Sequence, residues 1–210
     1  MTKCYSFERY IALRNEPYRA SFHIMSEEEL ISSAQHGDAR AFGQLYDTYV
    51  ARIYRFILLK VSNRHDAEDL TSQVFGSAWE SIRRFEFRGF PFSSWLYRIA
   101  QNAVIDHYRT TRHHEDLESV PDEVLADRPG WDERLDRDRD LMLVRSAIAD
   151  LSPEHQTVLI LRFIDERSTK EIALTIGKSE GAVRVIQHRA LKELRQKIDA
   201  RRPHHTTTEA

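Results

Sequence analysis

Cysteine is nearly absent from this chain: Cys4 is the only one in 210 residues. A single thiol excludes an internal disulfide and leaves no thiolate cluster for zinc. Glycine and proline are also scarce, at seven and six residues, and alternating β-branched runs are few. That combination disfavours a turn-rich sheet protein and points to an all-helical one. No apolar stretch approaches the ~18–20 residues that a membrane-spanning helix needs. The N-terminus lacks the charged-then-apolar pattern of a secretory signal, so the expected location is the cytoplasm. Excess charge is missing as well, the formal net value being −2. That average conceals a strongly uneven distribution, and the distribution carries the information.

What is present is a set of amphipathic helices with readable punctuation. Residues 1–25 show no period and are expected to form a weakly ordered extension. Met25 stands directly before a capping box, Ser26 to Glu29, which makes it the expected translation start. A first helix is expected from Ser26 to Gln35, ending at Gly37. Asp38 then caps a second, over Ala39 to Lys60, with Phe42, Leu45, Tyr46, Tyr49, Ile53, Phe56 and Ile57 on its inner face. A third, from about Asp66 to Phe85, turns Ala67, Leu70, Val74, Ala78 and Ile82 inward. In the fourth, Phe92, Trp95, Leu96, Ile99, Ala100, Ala103 and Val104 follow the rhythm of one buried face. These helices predict a bundle over 26–113, in which Trp79, Tyr46 and Tyr49 are core aromatics.

Residues 114–140 change character. Eleven carboxylates face only four arginines, and Pro121, Pro129 and Gly130 interrupt any helical period. A mobile acidic linker containing Trp131 is expected there. It reads either as a solvated tether or as an acidic strand that occupies a basic channel of a partner. Periodicity returns at Leu141. Ser152–Pro153 opens a helix to about Ile164, the Ser168 and Glu171 capping box starts a short one, and Gly177 turns the chain. Ser179 caps the last helix, with Val183, Ile186, Ala190, Leu191, Leu194 and Ile198 as its buried stripe. Residues 201–210 are expected to form a disordered tail.

Two stretches carry chemistry. On the fourth helix Arg98, Asn102 and Arg109 fall within about 40° of one another, with Trp95 at the edge of their stripe. Cations for phosphate, a carboxamide for base edges and aromatic planes for unstacked bases suit a single-stranded nucleic acid. The second stretch, Ser168 to Arg189, has the size and punctuation of a helix-turn-helix. Its second helix points Arg184, His188, Arg189, Lys192 and Arg195 outward, with Arg184 and Arg189 best placed for guanine edges or phosphates. The bland alternative is an amphipathic helix whose arginines are simply solvated. Asp106, His107, His113, His114 and Glu115 lack the i, i+4 histidine spacing of a helical zinc site, and no catalytic residue, metal or cofactor is expected.

The motifs together resemble a known family. Asp66–Phe75, Phe87-Arg-Gly-Phe, Trp95-Leu-Tyr-Arg-Ile-Ala and Ile105-Asp-His-Tyr-Arg are similar to region 2 of the extracytoplasmic-function (ECF) sigma factors. Leu151-Ser-Pro-Glu-His-Gln, Leu161-Arg-Phe, Lys170-Glu-Ile-Ala and Gly181-Ala-Val-Arg are similar to their region 4. The resemblance implies region 2 at 26–113 and region 4 at 141–200, with no activity as an enzyme. It implies that Asp66, Glu68, Asp69, Ser72, Gln73 and Phe75 dock on the β′ coiled coil of core RNA polymerase. Arg84, Phe87, Arg88, Phe90, Trp95, Arg98, Asn102 and Arg109 would read the −10 promoter element as single-stranded DNA. Ser179, Gly181, Ala182, Arg184, Val185, His188 and Arg189 would read the −35 duplex, with region 4 also meeting the β flap. An anti-sigma protein is a further possible partner. The chain departs from the family pattern at Ser72 and Gln73, where Gln-Glu is common, and at Gly76, Val185, Ile186 and Gln187. The competing reading is a ligand-responsive helix-turn-helix regulator that binds duplex DNA without polymerase.

Overall fold

The computed structural model describes residues 25–86, 90–115 and 139–201. Among them are α1 (Glu27–Gln35), α2 (Ala39–Val61), α3 (Arg64–Ser81), α4 (Phe92–Glu115), α5 (Arg139–Ala149), α6 (Pro153–Phe163), α7 (Thr169–Ile176) and α8 (Glu180–Arg201). A single 3₁₀ turn, Ile82–Arg84, follows α3, and no strand occurs among the described residues. The expected extension before Met25 and the tail after Arg201 lie outside the described residues, as does Trp131. Helix α4 runs on to Glu115 and α5 begins at Arg139, so both ends of the expected linker are helical. The rest of that segment also lies outside.

Local chemistry sets the ends. Ser26 and Glu29 form the reciprocal capping box, each side chain accepting from the other's backbone N–H. Asp38 Oδ1 accepts from the N–H groups of Arg40 at 2.8 Å and Ala41 at 3.3 Å, satisfying donors that a helix start leaves orphaned. Helix α3 begins two residues before Asp66 because Asn63 caps it, accepting from the Asp66 N–H at 3.2 Å. It stops short of the expected Phe85 because the chain tightens at Ile82. There Gln35 Nε2 donates to the carbonyls of Ile82 and Phe85, at 3.2 and 2.6 Å, fastening the turn to α1.

Helices α1 to α4 pack around Leu45, Ile53, Phe56, Ile57, Val74, Phe92 and Leu96, all almost free of solvent. Phe42 meets Trp79 at 5.0 Å and Tyr46 meets Phe75 at 4.7 Å between ring centroids. Tyr49 is buried, while Tyr46 and Trp79 are half-buried at the margin of this core. In the second unit α5 to α8 enclose Val158, Ile160, Leu161, Ile172, Val183 and Ile186. Leu191, expected in the buried stripe of α8, is instead exposed, because the stripe runs through Val183, Ile186, Ala190 and Leu194 and misses it.

The two units are not separate. Their apolar residues form one continuous cluster, with α4 against α7 and α2 against α5 and α6. A mobile linker over 114–140, as the sequence predicts, does not by itself call for this contact. The reason lies on α4, where Ser93, Ser94 and Tyr97 are buried beside the apolar stripe. That helix therefore has a second covered face.

Candidate nucleic-acid and polymerase interfaces

The approach to α4 is an aromatic platform. Phe85 packs edge-on against Phe92 at 5.5 Å, and both meet Trp95, at 5.1 and 5.3 Å. Phe85 and Phe92 are buried, whereas Trp95 is half-buried, so its indole sits on a fixed base with one side open. A rigidly supported, partly open aromatic face is what stacking on an unpaired base requires. One turn on, Arg98 reaches over the ring of Phe90 at 5.6 Å. Asn102 and Arg84 are exposed, and so is Arg109, which pairs with Asp106 at 3.1 Å. Phe87 and Arg88 lie outside the described residues.

Arg98 is also engaged from the other side. Its guanidinium donates to the carbonyl of Leu174 and, through Nε at 3.5 Å, to that of Thr175, both on α7. Its neighbour Tyr97 donates to Asp165 Oδ2 at 2.9 Å, and the Arg167 guanidinium lies 5.4 Å from the Tyr97 ring centre. Burial, with Asp165 alongside, pushes the Tyr97 phenol well above its ordinary range. Burial also raises the Asp165 carboxyl, against the pull of Tyr97, Arg55, Arg167 and Arg52.

The start of α8 forms a second surface. Ser179 Oγ accepts from the Ala182 N–H at 3.2 Å, capping the helix. Gly177 adopts a left-handed φ of 68° and donates to the Ala173 carbonyl, turning the chain from α7 into α8. Ser179, Gly181, Arg184, Val185, His188 and Arg189 are exposed along one strip, with Ala182 half-buried. Arg184 pairs loosely with Glu180 at 3.4 Å, and Val185 is 51% exposed at the centre of the strip. From behind, His155 on α6 meets Glu193 at 2.8 Å, and Arg201 pairs with Asp150. An exposed basic strip on a helix braced from behind suits entry into a duplex groove.

The third surface is α3. Glu68 and Asp69 are exposed and pair along the helix with Arg64 at 2.8 Å and His65 at 3.1 Å. Ser72 and Gln73 are exposed beside them, and Asp66 is half-buried, 3.7 Å from His107 on α4. Phe75 does not belong to this face. It is 1% exposed and packs under Tyr46, because position 75 turns into the same core as Val74 and Ala78.

Sequence reasoning missed the contacts that join the two units. Lys60 Nζ donates to Thr157 Oγ1 at 2.6 Å and to the Pro153 carbonyl at 3.3 Å, and Ser94 Oγ donates to the Glu171 carbonyl at 3.4 Å. A signal for Lys60 exists in the sequence, since it falls seven residues after Ile53 in the apolar register of α2.

Comparison with known proteins shows the family of the chain. Residues 45–114 match the family model of Sigma-70 region 2, and residues 147–196 match that of Sigma-70, region 4. The ECF RNA polymerase sigma factor SigW of Bacillus subtilis is 31% identical over 183 residues, covering 83% of this chain and 97% of that protein. The chain belongs to the ECF sigma factors. It is therefore a transcription initiation factor and not an enzyme, which sets aside the ligand-responsive regulator. The ECF sigma factor BldN of Streptomyces coelicolor is 38% identical over 170 residues, and this match spans 79% of the chain and 63% of BldN. Among solved structures, CnrH in complex with the cytosolic domain of CnrY aligns with a TM-score of 0.60 at 27% identity, covering 82% of this sigma factor and 97% of CnrH. RpoE of Bartonella quintana, in complex with the anti-sigma factor NepR, shares the fold with a TM-score of 0.64 at 24% identity, covering 78% of this chain and all of that one. No helix among the described residues is long and apolar enough to cross a membrane.

Proposed function

We propose that this sigma factor works in the cytoplasm, joins core RNA polymerase through the exposed acidic face of α3, and selects promoters with two different nucleic-acid surfaces. The start of α4 captures the −10 element as a single strand, with Trp95 stacking on an extruded base, Asn102 reading its edge and Arg98 and Arg109 holding phosphates. The strip on α8 reads the −35 element as duplex, with Arg184 and Arg189 at base edges or phosphates. Polymerase supplies the chemistry of RNA synthesis; this subunit supplies the choice of start site. Glu68 and Asp69 present negative charge to a basic coiled coil, and region 4 meets the β flap.

The observation that carries this reading is the pairing of an aromatic platform at Trp95 with an exposed basic strip at Arg184 to Arg189 in one chain. One surface suits unstacked bases and the other an intact groove. CnrH is held by the cytosolic domain of CnrY, and that likeness supports control of this sigma factor by an anti-sigma protein. The test is run-off transcription by core polymerase plus the full chain on a randomised promoter library. Transcripts that start at defined positions behind two fixed sequence blocks are the expected result. Initiation no different from core polymerase alone would overturn the proposal.

A further inference from the structure

Val185 is an apolar side chain in a polar place. It is 51% exposed within the strip of α8 that also presents Ser179, Arg184, His188 and Arg189. The core of this unit takes Val183, Ile186 and Ala190 from the opposite side of the helix, so the fold makes no use of the outer surface of Val185. Arg184 leans away from it along the helix, towards Glu180 at 3.4 Å. What remains beside the basic groups of the strip is a small, bare hydrocarbon face.

Its surroundings hold that face ready for close contact. At about 100° per residue, Gly181 and Arg189 lie within ~40° of Val185, one turn before it and one turn after. A Cβ on Gly181 would touch no neighbour closer than Ser179 Oγ at 4.0 Å, so the packing does not demand glycine there. The missing side chain lets a partner's surface approach the backbone next to Val185. Valine, branched at Cβ, keeps one χ1 rotamer about 90% of the time in a helix, so its methyl groups stand in fixed positions and lose little freedom on contact. The helix that carries them is fixed as well: Lys178, just before α8, pairs with Glu154 at 3.0 Å, and Glu193 meets His155 at 2.8 Å.

A valine side chain neither donates nor accepts a hydrogen bond, so it cannot read the polar pattern of a base edge. In the major groove the apolar group on offer is the C5-methyl of thymine, whereas the other bases present N7, O6, N6 or N4. We infer that Val185 makes this sigma factor selective for thymine at one position of its −35 element, by packing its methyl groups against the thymine C5-methyl. This rests on the reading of α8 as the −35 surface and adds a base choice that no hydrogen bond carries. Arg189, one turn on along the same side, supplies the neighbouring polar contact to a guanine or a phosphate.

The test uses core polymerase assembled with the full chain, wild type or Val185→Ser, and duplex promoters carrying the −35 block from the library selection. Each thymine of that block, on either strand, is replaced in turn by deoxyuridine, which differs only in lacking the methyl group. Competition binding then ranks the affinity of the holoenzyme for each duplex. The expected result for the wild type is a loss of about fourfold at one thymine, what burying a single methyl group is worth, and little change at the others. In Val185→Ser the loss at that thymine should disappear. Cytosine at the same position should weaken wild-type binding, and 5-methylcytosine should recover about fourfold of it with valine present but not with serine. Deoxyuridine tolerated at every thymine, a fixed block with no thymine on either strand, or a loss that persists in full in Val185→Ser would overturn the inference and leave α8 as the −35 surface. A library that selects no upstream block would overturn the reading of α8 itself, and the inference with it. The wild-type scan decides even if the serine variant folds poorly.

Discussion

Lys60, near the end of α2, places its ammonium nitrogen 2.6 Å from the hydroxyl of Thr157 on α6, 97 positions further along the chain. The lysine is 2% exposed, its nitrogen lies 5.1 Å from the Phe56 ring centre, and burial pushes its pKa down to about 7. A lysine that prefers to be neutral at a joint between two units makes the packed state sensitive to pH.

The sign follows from proton counting. Between about pH 7 and the ordinary lysine value near 10.5, the unfolded chain binds the proton that the packed Lys60 has given up. Stability therefore rises with pH across that window and is flat, for this group, below it. From pH 7 to 9.5 the gain is of order 1–3 kcal/mol, at ~1.4 kcal/mol per unit of pKa difference with allowance for relaxation. Urea denaturation at the two pH values measures it. Lys60→Met should remove the dependence and raise stability at pH 7, because an amine whose charging is penalised by burial is replaced by an apolar side chain of similar length while Thr157 keeps its bond to the Pro153 carbonyl at 2.7 Å. A Lys60→Met protein that keeps the wild-type slope would contradict this account.

Gly76 sits inside α3 with nothing within 4 Å of where a Cβ would stand. Gly76→Ala should therefore stabilise the fold by about 0.5–1 kcal/mol, since alanine loses less backbone freedom and meets no neighbour. A lower thermal midpoint for this variant would show that the space is not open.

Gly177 behaves oppositely. Space is free around it too, but its φ of 68° disfavours a side chain, so Gly177→Ala should cost roughly 1 kcal/mol and Gly177→Asn less. The nearby Ser168→Ala should cost about 1 kcal/mol by removing one half of a capping box whose Ser168 hydroxyl meets Glu171 Oε2 at 2.7 Å. Chemical denaturation of the three variants ranks these losses.

Division of labour among the surfaces is separable by assay. Asp69→Ala, at an exposed carboxylate of α3, should weaken capture by core polymerase more than it weakens melting by the assembled holoenzyme. Asn102→Ala should spare polymerase capture and reduce open complexes, scored by permanganate reactivity of the melted strand. Arg184→Ala should lower initiation tenfold or more if its bidentate contact to a guanine, ~1–3 kcal/mol, is lost. If all three variants lost only polymerase binding, the assignment of separate surfaces would fail.

Much of the molecule was legible in the chain. Helix starts at Ser26, Asp38, Ser152 and Ser168 were readable because a capping side chain acts on backbone groups within three residues of itself. The inner faces of α2 and α3 were readable because a helix repeats its burial every 3.6 residues. Asn63 was missed as the cap of α3, since a single carboxamide before His65 and Asp66 has no apolar run to announce it. Phe75 was misplaced because it borders the exposed acidic face and only packing against Tyr46 shows which way it turns.

Composition, caps and periodicity thus determined by themselves an all-helical chain with a bundle ahead of a helix-turn-helix, and the motifs' resemblance to ECF sigma factors implied region 2 and region 4 in that order. These are local signals, each written within a turn or two of the residues it governs. That Tyr97 meets Asp165, that Lys60 meets Thr157 and that Arg98 caps carbonyls of α7 was decided only in three dimensions. Those pairs lie 68 to 97 positions apart, and periodicity within one helix holds no record of which distant helix will cover its second face.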